Sequence, residues 1–158
     1  MYLCSQKDKL AMEYEFILRI FVAAILGGLI GLEREYRSKE AGFRTHFLVA
    51  LGSALFMIVS AYGFSEIQMY EPQRWDLSRI AAQVVSGIGF IGAGTIIFRK
   101  SENVVSGLTT AAGLWVVAAI GLACGGGMYM LSIASTLLVL VGLECFNFFL
   151  HKFDKYRK

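Results

Sequence analysis

The chain has 158 residues, of which 56% are hydrophobic and 17% charged, with a mean hydropathy of +0.59. An ordinary soluble domain is roughly 25% charged, so this composition excludes a water-soluble globule, and one proline excludes a disordered chain. The net charge of +3 is not the footprint of nucleic-acid binding, because the positive residues lie between apolar stretches, where membrane topology accounts for them.

The polar, unpatterned stretch of residues 1–15 reads as a leader, with Met12 as a second possible start. Five apolar spans follow, at residues 16–32, 46–62, 80–98, 108–124 and 128–150. At 1.5 Å per residue the shortest covers about 25 Å and the longest about 35 Å, which brackets a hydrocarbon core about 30 Å thick. The spans are apolar on all sides, without the polar stripe of a soluble surface helix. The fold class is therefore all-α, a polytopic membrane protein of about five transmembrane helices. The first span is not a cleaved signal peptide, because another apolar span follows it closely and no soluble domain does.

Ten of the fifteen Lys and Arg residues lie in the 33–45 and 99–107 connections and the 151–158 tail, four lie on the opposite side, and Arg19 is inside the first span. The positive-inside rule puts the ten in the cytoplasm, with the N-terminus outside. The Gly125–Gly127 turn makes spans four and five an antiparallel hairpin. Tyr62, Tyr70 and Trp75 around the 63–79 loop suit a membrane interface.

Small residues carry the packing signals. Gly27 and Gly31, and Gly121 and Gly125, form two GxxxG pairs, each on one helix face, suited to close backbone approach within one chain or between two. Gly87, Gly89, Gly92 and Gly94 give the third span a surface without side chains, expected to receive another helix or to line a cavity. The string GIGFIG matches GxGxxG, but lies mid-span without the strand, helix start and downstream acid of a dinucleotide site.

The polar groups are few. Glu33, Arg34, Arg44 and Thr45 cluster near the inner ends of spans one and two, either as interfacial anchors or as a site for a partner or ion. Glu144, about seven residues inside span five, requires a partner or protonation at that depth, and Arg34, Arg44 and Arg99 lie at suitable depths. Gln83 is expected to bond across helices, whereas Thr95, Thr109 and Thr110 can bond to their own helix. Arg19 can reach outward to Glu13 or Glu15. Cys4, Cys124 and Cys145 form no metal or redox pair, and the two histidines are too few for a metal site. No nucleophile–base pair, phosphate loop or cofactor motif appears, so an enzyme is not expected.

Four stretches in order, GGLIGLERE (27–35), AGFRTHFLVALGS (41–53), DLSRIAAQVVSGIGFIGAGTII (76–97) and GLTTAAGLWVVAAIGLACGGG (107–127), resemble the MgtC/SapB family of bacterial inner-membrane proteins over residues 14–150. The resemblance implies a five-helix membrane domain, a link to low magnesium and virulence, and regulation by contact with a membrane complex such as the F-type ATP synthase rather than transport. It also implies a cytoplasmic C-terminal domain that this sequence does not extend into. By motif match the implied functional positions are Glu33, Arg34, Arg44, Thr45, Gln83, Gly87, Thr109 and Thr110; Glu144 is added from its depth and charge. Two readings of function follow: a non-enzymatic regulator, or an oligomeric Mg²⁺ transporter or channel. The GxxxG faces and small size predict a homo-oligomer, a dimer first.

Overall fold

The apolar spans need every backbone N–H and C=O satisfied internally, which in lipid leaves helices as the dominant solution. The computed structural model describes residues 2–64, 76, 79–99 and 104–156. It contains α1 (Tyr2–Tyr36), α2 (Phe43–Tyr62), α3 (Arg79–Thr95), β1 (Ile97–Arg99), β2 (Val104–Ser106), α4 (Leu108–Gly125) and α5 (Tyr129–Tyr156). Tyr70, Arg74, Trp75, Lys100, Arg157 and Lys158 lie outside the described residues. The protein is an all-α polytopic membrane protein. By length and composition three helical stretches can cross a bilayer, Gln6–Tyr36, Phe43–Tyr62 and Leu108–Gly125.

Several boundaries differ from the sequence expectation: α1 continues to Tyr36, α2 begins at Phe43, α5 continues to Tyr156 through most of the expected 151–158 tail, and two further differences have a visible cause. Residues 2–15 are not a separate unpatterned leader but the first turns of α1, exposed from Gln6 to Tyr14; nothing in that stretch breaks a helix, and Glu15 and Arg19 pair one turn apart. The third helix stops at Thr95 rather than running to residue 98. There Thr95 Oγ1 donates to the Gly92 carbonyl at 2.7 Å, and Ile97–Arg99 pairs antiparallel with Val104–Ser106, placing Ile97 opposite Ser106. Gly107 closes this hairpin with φ +87°, where a Cβ would collide with the Thr95 carbonyl.

The packing is organised around α2. A Cβ on Gly27 would lie 2.5 Å from Ala50 Cβ, and one on Gly31 would lie 2.7 Å from Phe43 Cα. From the other side a Cβ on Gly121 would run into the Ala50 carbonyl, and one on Gly125 would lie 2.5 Å from the Ala54 carbonyl oxygen. Both GxxxG pairs thus seat α1 and α4 directly on the α2 backbone. The buried side chains are correspondingly small, with Ala23, Ala50 and Ala54 at 0% exposure, whereas Phe21, Phe56, Phe90 and Leu138 face outward. Lipid contact inverts the size pattern of a soluble core, since no hydrophobic driving force draws large residues inward.

The third-span glycines behave differently. Gly92 meets Ala111 at ordinary contact distance, but a Cβ on Gly87, Gly89 or Gly94 would meet nothing within 4 Å. The expectation that these three receive a neighbouring helix is not met within this chain, because α3 packs on α4 through the face that carries Ile88 and Gly92 and turns the others outward.

The helix ends are closed by specific bonds. α1 ends in a Schellman motif, Lys39 N–H to the Arg34 carbonyl and Ser38 N–H to the Glu35 carbonyl, with Ser38 left-handed at φ 53°. α4 ends the same way through Met128 and Gly127. Arg19 then donates to the last carbonyl of α4, Gly125 O, at 2.9 Å, and to Glu15 at 3.2 Å. A cation there complements the negative end of the helix dipole. Tyr129 donates to the same Glu15 oxygen at 2.8 Å, and the Tyr129 hydroxyl, then Arg19, hold that carboxyl below its usual range.

Replacing Gly27 or Gly121 by Leu is expected to destabilise the detergent-solubilised protein by about 3 kcal/mol or more through overpacking, whereas Gly142→Ala, at an open position, leaves the thermal midpoint unchanged or raised. Ser38→Gly relieves a left-handed side chain and is expected to stabilise by up to ~1 kcal/mol. Thermal melts followed by far-UV circular dichroism check all three.

Candidate functional site

The polar residues converge where α1 ends and α2 and α4 begin. The Glu33 carboxylate pairs with Arg34 through Nε and through Nη2, the latter at 2.8 Å, and with Arg37 Nε at 2.7 Å. Arg37 is one helical turn beyond Glu33, so its guanidinium reaches the same oxygen and then bridges to Glu144 Oε2 on α5 at 2.6 Å. The expected partners of Glu144, namely Arg34, Arg44 and Arg99, are replaced by Arg37. Glu144 is 59% exposed in its side chain, so it is not the deeply enclosed carboxylate that its place in the span suggested.

Burial grades this chain of charges. Arg34 is 3% exposed and Glu33 10%, against 28% for Arg37. Burial works to raise the Glu33 carboxyl pKa, but the hydrogen bonds and charges of Arg34 and Arg37 outweigh it and hold the group below the usual carboxylate range. Two guanidiniums against two carboxylates leave the network neutral. No group of three His, Cys, Asp or Glu capable of holding a metal ion occurs among the described residues.

Glu35, next in the same motif, has another task. Its Oε2 accepts from the Phe43 backbone N–H at 2.8 Å and so caps the start of α2, whose N-cap Gly42 has no side chain to do it. Thr110 is buried and donates to Glu40 Oε2 at 2.8 Å, tying the first turn of α4 to the α1–α2 connection. Arg44 and Thr109 are exposed and Thr45 is half-buried. Among the described residues Gln83 finds no partner across helices: it is exposed and lines an open groove between α2 and α3. Of the nine candidates, then, Glu33, Arg34 and Glu144 share one network through Arg37, Thr110 lies at the same end of the bundle, and Gln83 and Gly87 line the groove elsewhere.

The residue that sequence reasoning passed over is His46. It is 0% exposed, with Nδ1 2.9 Å from the Gly42 carbonyl. Its Nε2 is buried, has no hydrogen-bond partner among the described residues, and faces Gly113, where a Cβ would lie 3.6 Å away. The signal was its position in AGFRTHF, one turn into an otherwise apolar helix and framed by glycines on two neighbouring helices.

Glu33→Gln leaves Arg34 buried without a counter-charge and is expected to destabilise by about 3 kcal/mol. Because the folded-state pKa of Glu33 is lowered, its stabilisation is complete above the ordinary carboxylate value of 4.5 and is lost as pH falls through and below it. Melting midpoints in detergent between neutral pH and pH 4 should fall on acidification in the parent and fall less in Glu33→Gln. Glu144→Gln, removing an exposed pair, is expected to change stability by less than about 1 kcal/mol.

Residues 20–152 match the model of the MgtC family. The chain is 55% identical over 136 residues to YhiD of Escherichia coli (strain K12), covering 86% of this chain and 62% of that protein. It is 42% identical over 130 residues to SapB of Bacillus subtilis (strain 168), with coverages of 82% and 56%. It is 44% identical over 127 residues to MgtC of Salmonella typhimurium (strain LT2), with coverages of 80% and 50%. The chain thus spans about half to three-fifths of the length of these relatives, and no solved structure matches it. The matched segment runs through all five helices and contains the charged junction, the buried histidine and both glycine pairs, and the chain belongs to the MgtC family.

Proposed function

We propose that this protein is a non-enzymatic regulator in the bacterial inner membrane, tied to adaptation to low magnesium and to virulence, that acts by contact with a partner membrane complex such as the F-type ATP synthase. The observation that carries this reading is the charged junction. Glu33 and Glu144 are both paired with guanidiniums, which compete with a hard divalent cation for those carboxylates. The glycine contacts press α1 and α4 onto the α2 backbone, which supports a rigid body that presents surfaces over a conduit that opens. The excess of Lys and Arg near the α1–α2 connection and the C-terminal tail supports a cytoplasmic placement of the charged junction, with Arg44 and Arg37 partly accessible to a partner.

A second reading, an oligomeric Mg²⁺ transporter or channel, is favoured by one relative: YhiD carries a name that classes it provisionally as a magnesium transporter. Open glycines on α3 would then face another copy across a shared pathway. Homo-oligomerisation is part of both readings.

Affinity capture from mild detergent, together with ATP-driven proton pumping in inverted vesicles, tests the first reading. Enrichment of the synthase and lowered pumping are expected, and both effects should weaken in Arg37→Glu, which reverses an accessible charge. Failure to enrich any membrane complex, combined with Mg²⁺ entry into proteoliposomes that hold the purified protein, would transfer the assignment to transport.

A further inference from the structure

Between α2 and α3 an open groove of about 480 Å³ is lined by apolar side chains, among them Leu48, Phe56 and Ile91, by Gly52 and Gly87, and by Gln83. We propose that this groove holds one acyl chain of a glycerophospholipid whose phosphate is met by Arg79. Its α3 lining runs from Ile80 to Ile91, about 16 Å of helix, which is half of a hydrocarbon core about 30 Å thick. The groove is therefore as long as one leaflet is deep, and one of its walls, α2, is long and apolar enough to cross the membrane.

Two of its polar groups come in the order in which a phospholipid presents its own. Arg79 opens α3, is exposed and forms no ion pair with a described residue. Gln83 is four residues on, on the same helix face, about 6 Å deeper along the axis, and makes no hydrogen bond to a described residue. A guanidinium complements a phosphate. An amide one turn below it can donate to a glycerol ester carbonyl, satisfying a group that is costly to leave unpaired in hydrocarbon. Below Gln83 the lining is apolar apart from Ser53.

The groove is also kept open at two helix-weakening glycines. A Cβ at Gly52 or Gly87 would meet nothing within 4 Å, so neither glycine is there to let this chain's helices approach; both instead leave space on opposite walls of the groove. A helix from a second copy would need no cationic group at one mouth, whereas a lipid does.

The double variant Gly52→Leu with Gly87→Leu fills the groove without meeting the packed core, and Arg79→Gln removes the cation. Gly142→Leu, at an open position outside the groove, is the control. Each protein is purified in detergent, confirmed folded by circular dichroism, exchanged free of lipid, and titrated with dioleoylphosphatidylglycerol under native mass spectrometry, with inorganic phosphate titrated separately. The parent and the control are expected to bind one lipid per chain, the leucine pair and Arg79→Gln about tenfold more weakly, and phosphate alone not to bind. Should the leucine pair not fold, Arg79→Gln and Gln83→Leu, both at exposed positions, carry the comparison. Equal lipid binding by parent and groove variants would overturn the proposal. So would efficient disulfide cross-linking between copies through Gly87→Cys in native membranes, which would assign the groove to a second chain.

Discussion

The contact between helix backbones at the two faces of α2 sets the terms for everything else. Gly27 and Gly31 bring α1 against it, and Gly121 and Gly125 bring α4 against it, with Ala50 touching a glycine on each side. In lipid there is no hydrophobic gain in burying a large side chain, so dispersion between closely approaching backbones is what holds the helices together. A glycine in a helix interior weakens that helix by roughly 0.5–1 kcal/mol relative to alanine, and here four of them are compensated by the approach they permit.

That approach explains the polar chemistry at one end of the bundle. With α1 and α2 this close, Arg34 is enclosed, and an enclosed guanidinium must be paired. Glu33 is its neighbour in sequence and supplies the pairing, and Arg37 extends it to α5. Glu35 meanwhile caps the start of α2. One short acidic and basic run thus does three separate jobs: it neutralises a buried cation, links α5 to the packed trio and begins the next helix. At the opposite end Arg19 does comparable work, joining Glu15, Tyr62 and the last carbonyl of α4. The bundle is fastened at both ends by arginine and along its middle by glycine.

The two outer helices are held differently, and their exposure bears on function. α5 reaches the rest through Val139, Leu140 and Leu143, which pack on the core, through the Tyr129–Glu15 bond and through the Arg37–Glu144 pair; the hydroxyls of buried Ser132 and Thr136 bond back into their own helix. α3 contacts α4 and leaves Gly87, Gly89 and Gly94 open. The trio of α1, α2 and α4 acts as the frame, and α3 and α5 add their exposed apolar residues to those that α1 and α2 turn outward.

How much of this was legible in the residues follows from the range of each interaction. The membrane class, the helical fold and the closeness of the two GxxxG pairs were readable, because hydropathy, span length and small-residue spacing are properties of a single segment. The pairing of Arg19 with Glu15 was readable for the same reason, being one helical turn apart. The partner of Glu144 was not: depth arguments named Arg34, Arg44 and Arg99, but which of several arginines at one membrane level meets it depends on how α1 and α5 are rotated about their axes, and that selected Arg37. Nor could spacing distinguish the glycines of α3 from those of α1 and α4, since a glycine that admits a neighbour and one that leaves a space look identical until the neighbour is placed. The burial of His46 and the early end of α3 at a hairpin were likewise tertiary outcomes, decided by which segments come to lie together rather than by any pattern within one.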